Sequence, residues 1–240
     1  MVPGFPVPEF ELPFANMPVT KVLFTKMPFA RMARRCAGAA LLSCLAVLSL
    51  TPVEARADTI LVMGDSLSAA YGIDPQAGWV NLLKQRLGDE HEVVNASISG
   101  DTSSGGRARF AALLAQHKPS HVVLELGAND ALRGLPLTDT EANLLQITQS
   151  AQAAGAKVLI VGIQVPPNYG GDYTRRFEAV FAKVASTTRS ALVPFLLKGV
   201  ADAPNAMSLF QADRIHPTAA AQPQLLDNVW PELRKLLAAK

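Results

Sequence analysis

Short apolar runs alternate with longer amphipathic segments from residue 58 to the end of the chain. Apolar runs of strand length predict five β-strands, at 59–63, 92–96, 121–126, 157–163 and 191–195. Segments with helical periodicity predict helices near 77–87, 104–117, 139–154, 174–189 and 218–239, the last bent at Pro223 and Pro231. The pattern is typical of a chain built from successive strand–helix units.

The character of the strands indicates how they assemble. Continuous apolar strands, unlike strands that alternate apolar and polar residues, are typical of a sheet covered by helices on both faces. Strand–helix alternation with right-handed crossovers gives a doubly wound parallel sheet. We therefore predict an α/β fold, a three-layer α/β/α sandwich. Because no repeat, linker or low-complexity segment follows residue 57, we expect residues 58–240 to form a single domain.

Residues 1–57 have the character of a leader. An apolar block at 37–50 follows several arginines and leads to the small-x-small sequence Ala55-Arg56-Ala57. A basic start, an apolar stretch of about 7–15 residues and a small-residue exit describe a secretory signal peptide. The block is shorter than the roughly 20 apolar residues of a membrane span. We predict cleavage after Ala57 and export to the periplasm or the medium, with no stable membrane anchor.

The start of the leader is less regular than its end. Residues 1–26 show no periodic pattern, and translation from Met27 or Met32 would omit them. A lipoprotein cleavage box ending at Cys44 is a weaker interpretation, because cleavage there would leave an apolar tail on the mature protein. The signal-peptide interpretation is therefore preferred.

The leader changes how the composition is interpreted. It holds six of the 22 basic and three of the 20 acidic residues, so 16 basic and 17 acidic residues remain and the net charge of 58–240 is about −1. Nothing in that balance favours nucleic acid or an anionic surface as a partner. Both cysteines, Cys36 and Cys44, also lie in the leader. The exported part therefore has no disulfide and depends on packing for its stability.

Polar and glycine-rich segments follow each predicted strand. In a parallel α/β sheet, ligands bind beyond the carboxyl ends of the strands, so these segments meet at one edge. In chain order they contain Ser66, then Gly100 with Asp101, Asn129 with Asp130, the segment 166–172, and Asp213 with His216. This edge is the predicted place of the chemistry.

A serine nucleophile needs a base to take its proton and a carboxylate to orient that base. Three of the four histidines lie elsewhere: His91 in a turn before a strand, His117 at the end of a helix, and His121 at the opposite edge of the sheet. His216 alone lies on the predicted active edge. Asp213, three residues earlier, can accept the proton of its Nδ1 and leave Nε2 facing Ser66.

Each of these residues has a structural interpretation when it is taken alone. Ser66 can cap a helix, Gly100 can turn the chain, and Asn129 can bond its own backbone. A single histidine is also most often structural. The order of the residues at successive strand ends is what favours catalysis.

The same residues carry a family resemblance. GDSLS at 64–68, Gly100 in ISGDTS, GAND at 127–130 and DRIH at 213–216 resemble the four sequence blocks of the GDSL (SGNH) hydrolases. The resemblance covers 58 to about 230 and is greatest to bacterial periplasmic members described as acyl-CoA thioesterase, lysophospholipase and arylesterase. It implies a flavodoxin-like, five-stranded parallel sheet. Ala128 departs from the pattern, since the nearest relatives usually have a second glycine there.

The resemblance also implies roles for the matching residues. Ser66 would be the nucleophile, His216 the general base and then acid, and Asp213 the orienting carboxylate. The backbone N–H groups of Ser66 and Gly100 and the amide of Asn129 would form the oxyanion hole. The implied reaction is hydrolysis of fatty acyl esters, acyl-CoA thioesters and lysophospholipids through an acyl-enzyme, without a cofactor or metal. We expect Asp65 to tether the serine turn and Asp130 to orient Asn129 or nearby backbone.

The acyl pocket is expected to be built from short loops. The walls would be 71–76 and 165–173, and the apolar candidates for binding the acyl chain are Leu67, Val165, Pro166, Tyr169 and Phe210. The alternative for each is packing beneath the loops. We expect a small-molecule ester or thioester as the partner of a monomeric enzyme.

Two other functions fit parts of the pattern. A carbohydrate deacetylase of the same superfamily would need aromatic side chains that stack on sugars, and neither Trp79 nor Trp230 lies on the active edge. A non-enzymatic exported binding protein would have no use for the pair formed by Asp213 and His216. The chain also lacks a glycine-rich phosphate loop of standard form.

Overall fold

The structure, a computed structural model, describes residues 58–239. The predicted leader, its cleavage site after Ala57 and the alternative translation starts lie outside the described residues. The fold and the site below are those of 58–239.

Five parallel strands form a central sheet. They are β1 (Asp58–Gly64), β2 (His91–Asn95), β3 (His121–Glu125), β4 (Lys157–Val161) and β5 (Ala191–Val193). Their order across the sheet is β2-β1-β3-β4-β5, and all neighbours are parallel. The direction of winding reverses between β1 and β3, which opens a crevice at their carboxyl ends. The predicted α/β fold is confirmed.

Helices cover both faces of the sheet. They are α1 (Trp79–Leu87), α2 (Ser103–His117), α3 (Ala128–Leu132), α4 (Leu137–Ala153), α5 (Gly171–Thr188), α6 (Ala206–Leu209) and α7 (Gln222–Ala238). α2 packs on α4 and α4 on α5, whereas α1 packs on α7. These two groups form the outer layers of the sandwich.

The core lies between the sheet and these two layers. Ile60 to Met63 of β1 have no exposed surface, because both faces of this strand are covered. Trp79 of α1 and Phe177 of α5 are also fully buried. At about 25 cal/mol per Å² of apolar surface removed from water, burial of such side chains is the main stabilising term. It holds the carboxyl ends of the strands in fixed positions.

The differences from the predicted elements have local causes. α3 and α6 span five and four residues, which is too short for a periodic pattern to show. β5 ends at Val193 because Pro194 has no N–H to donate to the ladder. α7 begins four residues later than predicted, with Pro223 in its first turn, and continues through Pro231.

Among residues 58–239, no helix is both long enough and apolar enough to span a lipid bilayer.

Candidate active site

Ser66 lies in a tight turn directly after β1. Backbone N–H groups of Ala69 and Tyr71 donate to the carbonyls of Asp65 and Ser66 at 2.9 and 3.2 Å, which closes the turn. The preceding Gly64 has to be glycine, since a Cβ there would lie 2.5 Å from Oε2 of Glu125. The turn therefore lifts the Ser66 side chain to the half-buried rim of the sheet.

Ser66, His216 and Asp213 form a continuous hydrogen-bonded chain. Oγ of Ser66 lies 2.8 Å from Nε2 of His216. Nδ1 of the same ring lies 2.7 Å from Oδ2 of Asp213. With the ring proton on Nδ1, the imidazole donates to the carboxylate and its Nε2 accepts the serine proton. This is the geometry that nucleophilic catalysis by serine requires.

The base and its carboxylate lie on one closed loop. Phe210 and Pro217 form an antiparallel bridge at the base of this loop. Within it, the N–H of Gln211 donates to the carbonyl of His216 at 2.8 Å. Arg214 has a φ of +59°, the left-handed conformation that turns the chain between Asp213 and His216. The loop sets the spacing of the two side chains by its own bonds.

Asp213 is held in its ionised form by local hydrogen bonds. Its Oδ2 accepts from the imidazole, and its Oδ1 accepts from the backbone N–H groups of Ile215 and His216 at 2.9 and 3.0 Å. These bonds lower the pKa of Asp213 to about 2. The carboxylate therefore keeps its charge at neutral and mildly acidic pH.

Tyr71 packs against the base. The ring centroids of Tyr71 and His216 are 4.5 Å apart, with an angle of 43° between the ring planes. Gln211 holds this side of the loop in place, since its Nε2 donates to the carbonyl of Tyr71 at 2.8 Å. Sequence reasoning named Tyr71 only as a wall of the pocket. Contact with the imidazole depends on the loop geometry, which no pattern in the sequence indicates.

The three expected oxyanion donors follow β1, β2 and β3. Gly100 has a φ of +78°, and its carbonyl accepts from Nη2 of Arg133 at 2.7 Å. Asn129 is the second residue of α3, and its amide donates to Oδ2 of Asp65 at 3.1 Å. Within residues 58–239, the N–H groups of Ser66 and Gly100 have no hydrogen-bond acceptor. Both remain available to a bound ligand, as does the second proton of the Asn129 amide.

Two acidic residues beside the site have structural partners. Asp65 accepts from the N–H of Leu67 at 3.0 Å, as expected for a tether of the serine turn. Asp130 accepts from both the N–H and the hydroxyl of Ser103, at 2.8 and 2.5 Å. Asp130 thus orients the start of α2, and Asp65 is the residue that holds Asn129.

The other histidines lie away from this edge. His91 and His121 are the first residues of β2 and β3, and His117 is the last residue of α2. His121 is buried, and burial lowers the pKa of its imidazole. In the part of the chain that the structure describes, no three histidine, cysteine or acidic side chains are grouped so as to hold a metal ion.

Comparison with known proteins identifies the group to which this arrangement belongs. Residues 62–222 match the GDSL-like Lipase/Acylhydrolase family. The esterase TesA of Pseudomonas aeruginosa is 56% identical over 200 residues, which are 82% of this chain and 98% of that protein. The chain belongs to the GDSL-like lipase/acylhydrolase family. This GDSL hydrolase is therefore an enzyme of the carboxylic ester hydrolase class.

Other relatives agree with this assignment. The thioesterase 1/protease 1/lysophospholipase L1 of Escherichia coli is 44% identical over 193 residues, covering 80% of the GDSL hydrolase and 91% of the relative. A crystal structure of TesA superposes with a TM-score of 0.71 at 55% identity, over 75% of this chain and 99% of that one. The fold and the family thus agree.

The candidate pocket residues of the GDSL hydrolase fall into two groups. Leu67 and Val165 are each 6% exposed and belong to the hydrophobic core. Leu67 and Val165 therefore pack beneath the loops, which is the alternative interpretation. Pro166 is exposed, Tyr169 is 38% exposed, and Phe210 is half-buried beside the core. Of the five candidates, these last three therefore keep exposed surface, and their binding of an acyl chain stays a prediction.

The two tryptophans are engaged elsewhere. Trp79 is fully buried, and the ring of Trp230 lies under the guanidinium of Arg86 at 5.3 Å. Neither ring can stack on a sugar at the active edge of the GDSL hydrolase.

Proposed function

We propose that this chain hydrolyses acyl esters and thioesters with Ser66 as nucleophile, His216 as general base and acid, and Asp213 as the orienting carboxylate. The observation that carries the proposal is the hydrogen-bonded chain from Oγ of Ser66 through the imidazole to Asp213, with contacts of 2.8 and 2.7 Å. A binding protein with the same sheet would have no need of this chain of contacts.

The reaction follows from these contacts. Oγ of Ser66 attacks the carbonyl carbon of the substrate while its proton passes to Nε2 of His216. The tetrahedral intermediate collapses as Nε2 returns the proton to the leaving alcohol or thiol, and the acyl group remains on Ser66. Water then loses a proton to the same nitrogen and attacks the acyl-enzyme. The carboxylic acid leaves, and the serine regains its proton.

The negative charge on the intermediate needs donors that are already in place. We assign this role to the N–H groups of Ser66 and Gly100 and to the amide of Asn129. The absence of a protein acceptor for the two N–H groups, within the described residues, supports this assignment. The bond from Asn129 to Asp65 fixes the plane of the amide, so that its second proton has one direction.

The substrate class follows from the relatives and from the shape of the site. The named relatives are an esterase and a thioesterase that is also a lysophospholipase. An acyl chain would lie on the exposed loop surface that includes Pro166, Tyr169 and Phe210, because Leu67 and Val165 are buried in the core. We propose fatty acyl esters, acyl-CoA and lysophospholipid as its substrates.

Covalent labelling tests the proposal directly. An organophosphonate ester carries a tetrahedral phosphorus that a serine activated by a base attacks, so we expect one adduct per chain. Peptide mass mapping should place the adduct on Ser66, with loss of p-nitrophenyl ester hydrolysis in proportion to labelling. An adduct on another serine, or full activity after labelling of Ser66, would overturn the assignment.

We also propose that the working enzyme is the exported segment that begins at Asp58, and that it acts as a monomer. The leader-like composition of 1–57 supports removal of that segment. Amino-terminal sequencing of the exported protein should give Asp58-Thr59-Ile60, and light scattering should give the mass of one chain. A different first residue, or a dimer mass, would contradict the respective statement.

A further inference from the structure

Glu125 is a buried carboxyl group directly beneath the serine turn. It is the last residue of β3 and has no exposed surface. Its Oε2 accepts from the hydroxyl of Ser68 at 2.7 Å and from the N–H of Asp65 at 3.2 Å. Its Oε1 is buried and has no partner among the described residues. An ionised carboxylate would leave a charged oxygen buried without a partner, whereas the neutral acid buries no charge.

Asp65 is a second buried carboxyl group, immediately above the first. It is 1% exposed, and each of its oxygens accepts a different hydrogen bond. Oδ1 accepts from the N–H of Leu67 in the serine turn at 3.0 Å. Oδ2 accepts from the side-chain amide of Asn129 at 3.1 Å. One carboxylate thus joins the nucleophile turn to the side chain assigned to the oxyanion hole.

The two acids share an environment that does not favour two negative charges. No salt bridge reaches either of them within the described residues. Burial and the neighbouring Asp65 raise the pKa of Glu125 well above its ordinary value. Burial raises the pKa of Asp65 to about 6, although its hydrogen bonds and His216 oppose that rise. The proton therefore resides on Glu125 at neutral pH, and Asp65 carries the charge.

We propose that Asp65 is a positioning residue that couples the Ser66 turn to the Asn129 amide, and that Glu125 supports it as a neutral carboxylic acid. This inference rests on the proposed function, because it assigns Asn129 to the oxyanion hole. Both oxygens of Asp65 have to accept for the coupling to exist. Asparagine at 65 has a single acceptor oxygen, so its NH₂ group would face a donor N–H on one side. Glutamine at 125 keeps an acceptor for Ser68 and Asp65.

The charge on Asp65 adds a pH dependence to this coupling. The titratable groups that face Asp65 are His216, Asp101 and Glu125, of which Glu125 is the neutral one. When the pH falls through about 6, Asp65 takes a proton and one oxygen becomes a donor. The Asn129 amide or the serine turn then loses its acceptor. Activity at low pH therefore falls with one protonation more than the reaction of a serine and its base alone requires.

The test compares Asp65→Asn with Glu125→Gln in the complete chain. For Asp65→Asn we expect kcat for a p-nitrophenyl ester to fall about 10–100-fold at pH 7.5, because small displacements of reacting groups cost this much. KM should change less than about threefold, since the acyl site is not touched. Glu125→Gln should keep at least about half of the wild-type kcat, because a neutral acid and an amide offer the same acceptor.

The pH profile separates positioning from a general loss of structure. On a logarithmic plot, the acid limb of kcat/KM for the wild type and for Glu125→Gln should approach a slope of about two, and that of Asp65→Asn a slope of about one. Wild-type kcat in Asp65→Asn, a wild-type slope of one, or equal losses in both variants would each overturn the inference. The slope of the wild-type acid limb tests the inference even if Asp65→Asn does not fold.

Labelling by an organophosphonate keeps this test distinct from that of the proposed function. If the wild type is labelled on Ser66 but Asp65→Asn turns over like the wild type, the coupling is wrong and the function stands. If the wild type is not labelled on Ser66, the proposed function fails whatever the two variants do.

Discussion

Oγ of Ser66 and Nε2 of His216 lie 2.8 Å apart, although 150 positions separate the two residues in the chain. The sheet supplies this proximity, because β1 and the loop after β5 both end at the same edge. Ser66 is only half-buried, so its contact with His216 is not part of the packing of the core. Substitution of Ser66 should therefore remove this contact without unfolding the protein.

Ser66→Ala should lower kcat/KM for p-nitrophenyl esters by a factor on the order of 10⁶, because loss of the nucleophile removes the whole catalytic unit. The thermal midpoint should stay within about 2 °C of the wild type, since no core atom changes. Ser150→Ala is the matched control, an exposed serine of α4 at the opposite end of the sheet. Equal activities of the two variants would exclude Ser66 as nucleophile.

Asp213→Asn should lower kcat by about 10³–10⁴-fold, because the amide NH₂ faces Nδ1 and favours the wrong tautomer of His216. The pKa of Asp213, held at about 2, means that the wild type does not lose this carboxylate during acid inactivation. Initial rates at pH 8 measure the loss. Asp89→Asn changes an exposed carboxylate elsewhere and should retain full activity. A small effect of Asp213→Asn would contradict the orienting role of Asp213.

Asn129→Ala should lower kcat by about 10²–10³-fold with little change in KM, because it removes an oxyanion donor that acts mainly in the transition state. Steady-state kinetics with a short-chain ester measure both constants. Asn228→Ala, on α7, removes amide donors to the carbonyls of Leu196 and Lys198 and should lower stability alone. A fall in kcat of less than about tenfold in Asn129→Ala would count against the amide.

Gly100→Ala should cost about 1–2 kcal/mol of stability, because the φ of +78° is unfavourable for a residue with a Cβ. Space is not the limit, since the nearest atom to the added Cβ is Nη2 of Arg133 at 3.7 Å. Relief of the strain would turn the Gly100 N–H away from the site, so kcat should fall about tenfold or more.

Gly155→Ala provides the comparison for that variant. Gly155 has a φ of +87° and no atom within 4 Å of an added Cβ. Urea unfolding should show a loss of stability in both variants, whereas ester hydrolysis should fall only in Gly100→Ala. A parallel fall in the two rates would mean that Gly100 acts through stability.

Glu125→Gln should change how stability depends on pH. The pKa of Glu125 is raised in the folded state, so the folded protein holds its proton more tightly than the unfolded chain. Wild-type stability therefore declines as pH rises above about 4.5, the ordinary range of a glutamic acid, until the folded value is reached. Glutamine does not titrate, so Glu125→Gln should lack this decline. The decline in the wild type amounts to at most about 1.4 kcal/mol of unfolding free energy per pH unit.

Urea unfolding at pH 5, 6 and 7 measures that difference. The stability curves of Glu125→Gln and the wild type should diverge as the pH rises, with the variant the more stable. The exposed Glu90, changed to Gln, should give a curve parallel to the wild type. Parallel curves for Glu125→Gln as well would show that Glu125 is ionised in the folded protein.

Much of the fold and of the candidate site could be predicted from the sequence, because strands and helices alternate regularly along the chain. Continuous apolar strands require covered faces, so the layers and the common edge of Ser66, Asn129 and His216 follow from the pattern. The four histidines could be sorted by their strand ends, and the structure puts His91 and His121 at the amino edge. The oxyanion donors that we expect come from the family resemblance, because the spacing alone left them open.

The remainder depends on three-dimensional contacts that leave no periodic signal. Glu125 lies at the end of an apolar run, where a polar residue is normally the start of a loop, yet it is fully buried. Leu67 follows the serine, and its apolar character fits either an acyl site or packing beneath the loops; the structure places it in the core. Apolar character cannot distinguish a side chain that lines a groove from one that supports it, because both remove apolar surface from water.

The antiparallel bridge between Phe210 and Pro217 makes the segment that contains Asp213 and His216 a self-contained cassette. Its geometry is set by hydrogen bonds inside the loop and by the hydrogen bond from Gln211 to the carbonyl of Tyr71. The chain between β5 and Phe210 can therefore vary in length without separating the imidazole from the carboxylate. Inserts at 201–205 should therefore leave the spacing of His216 and Asp213 unchanged.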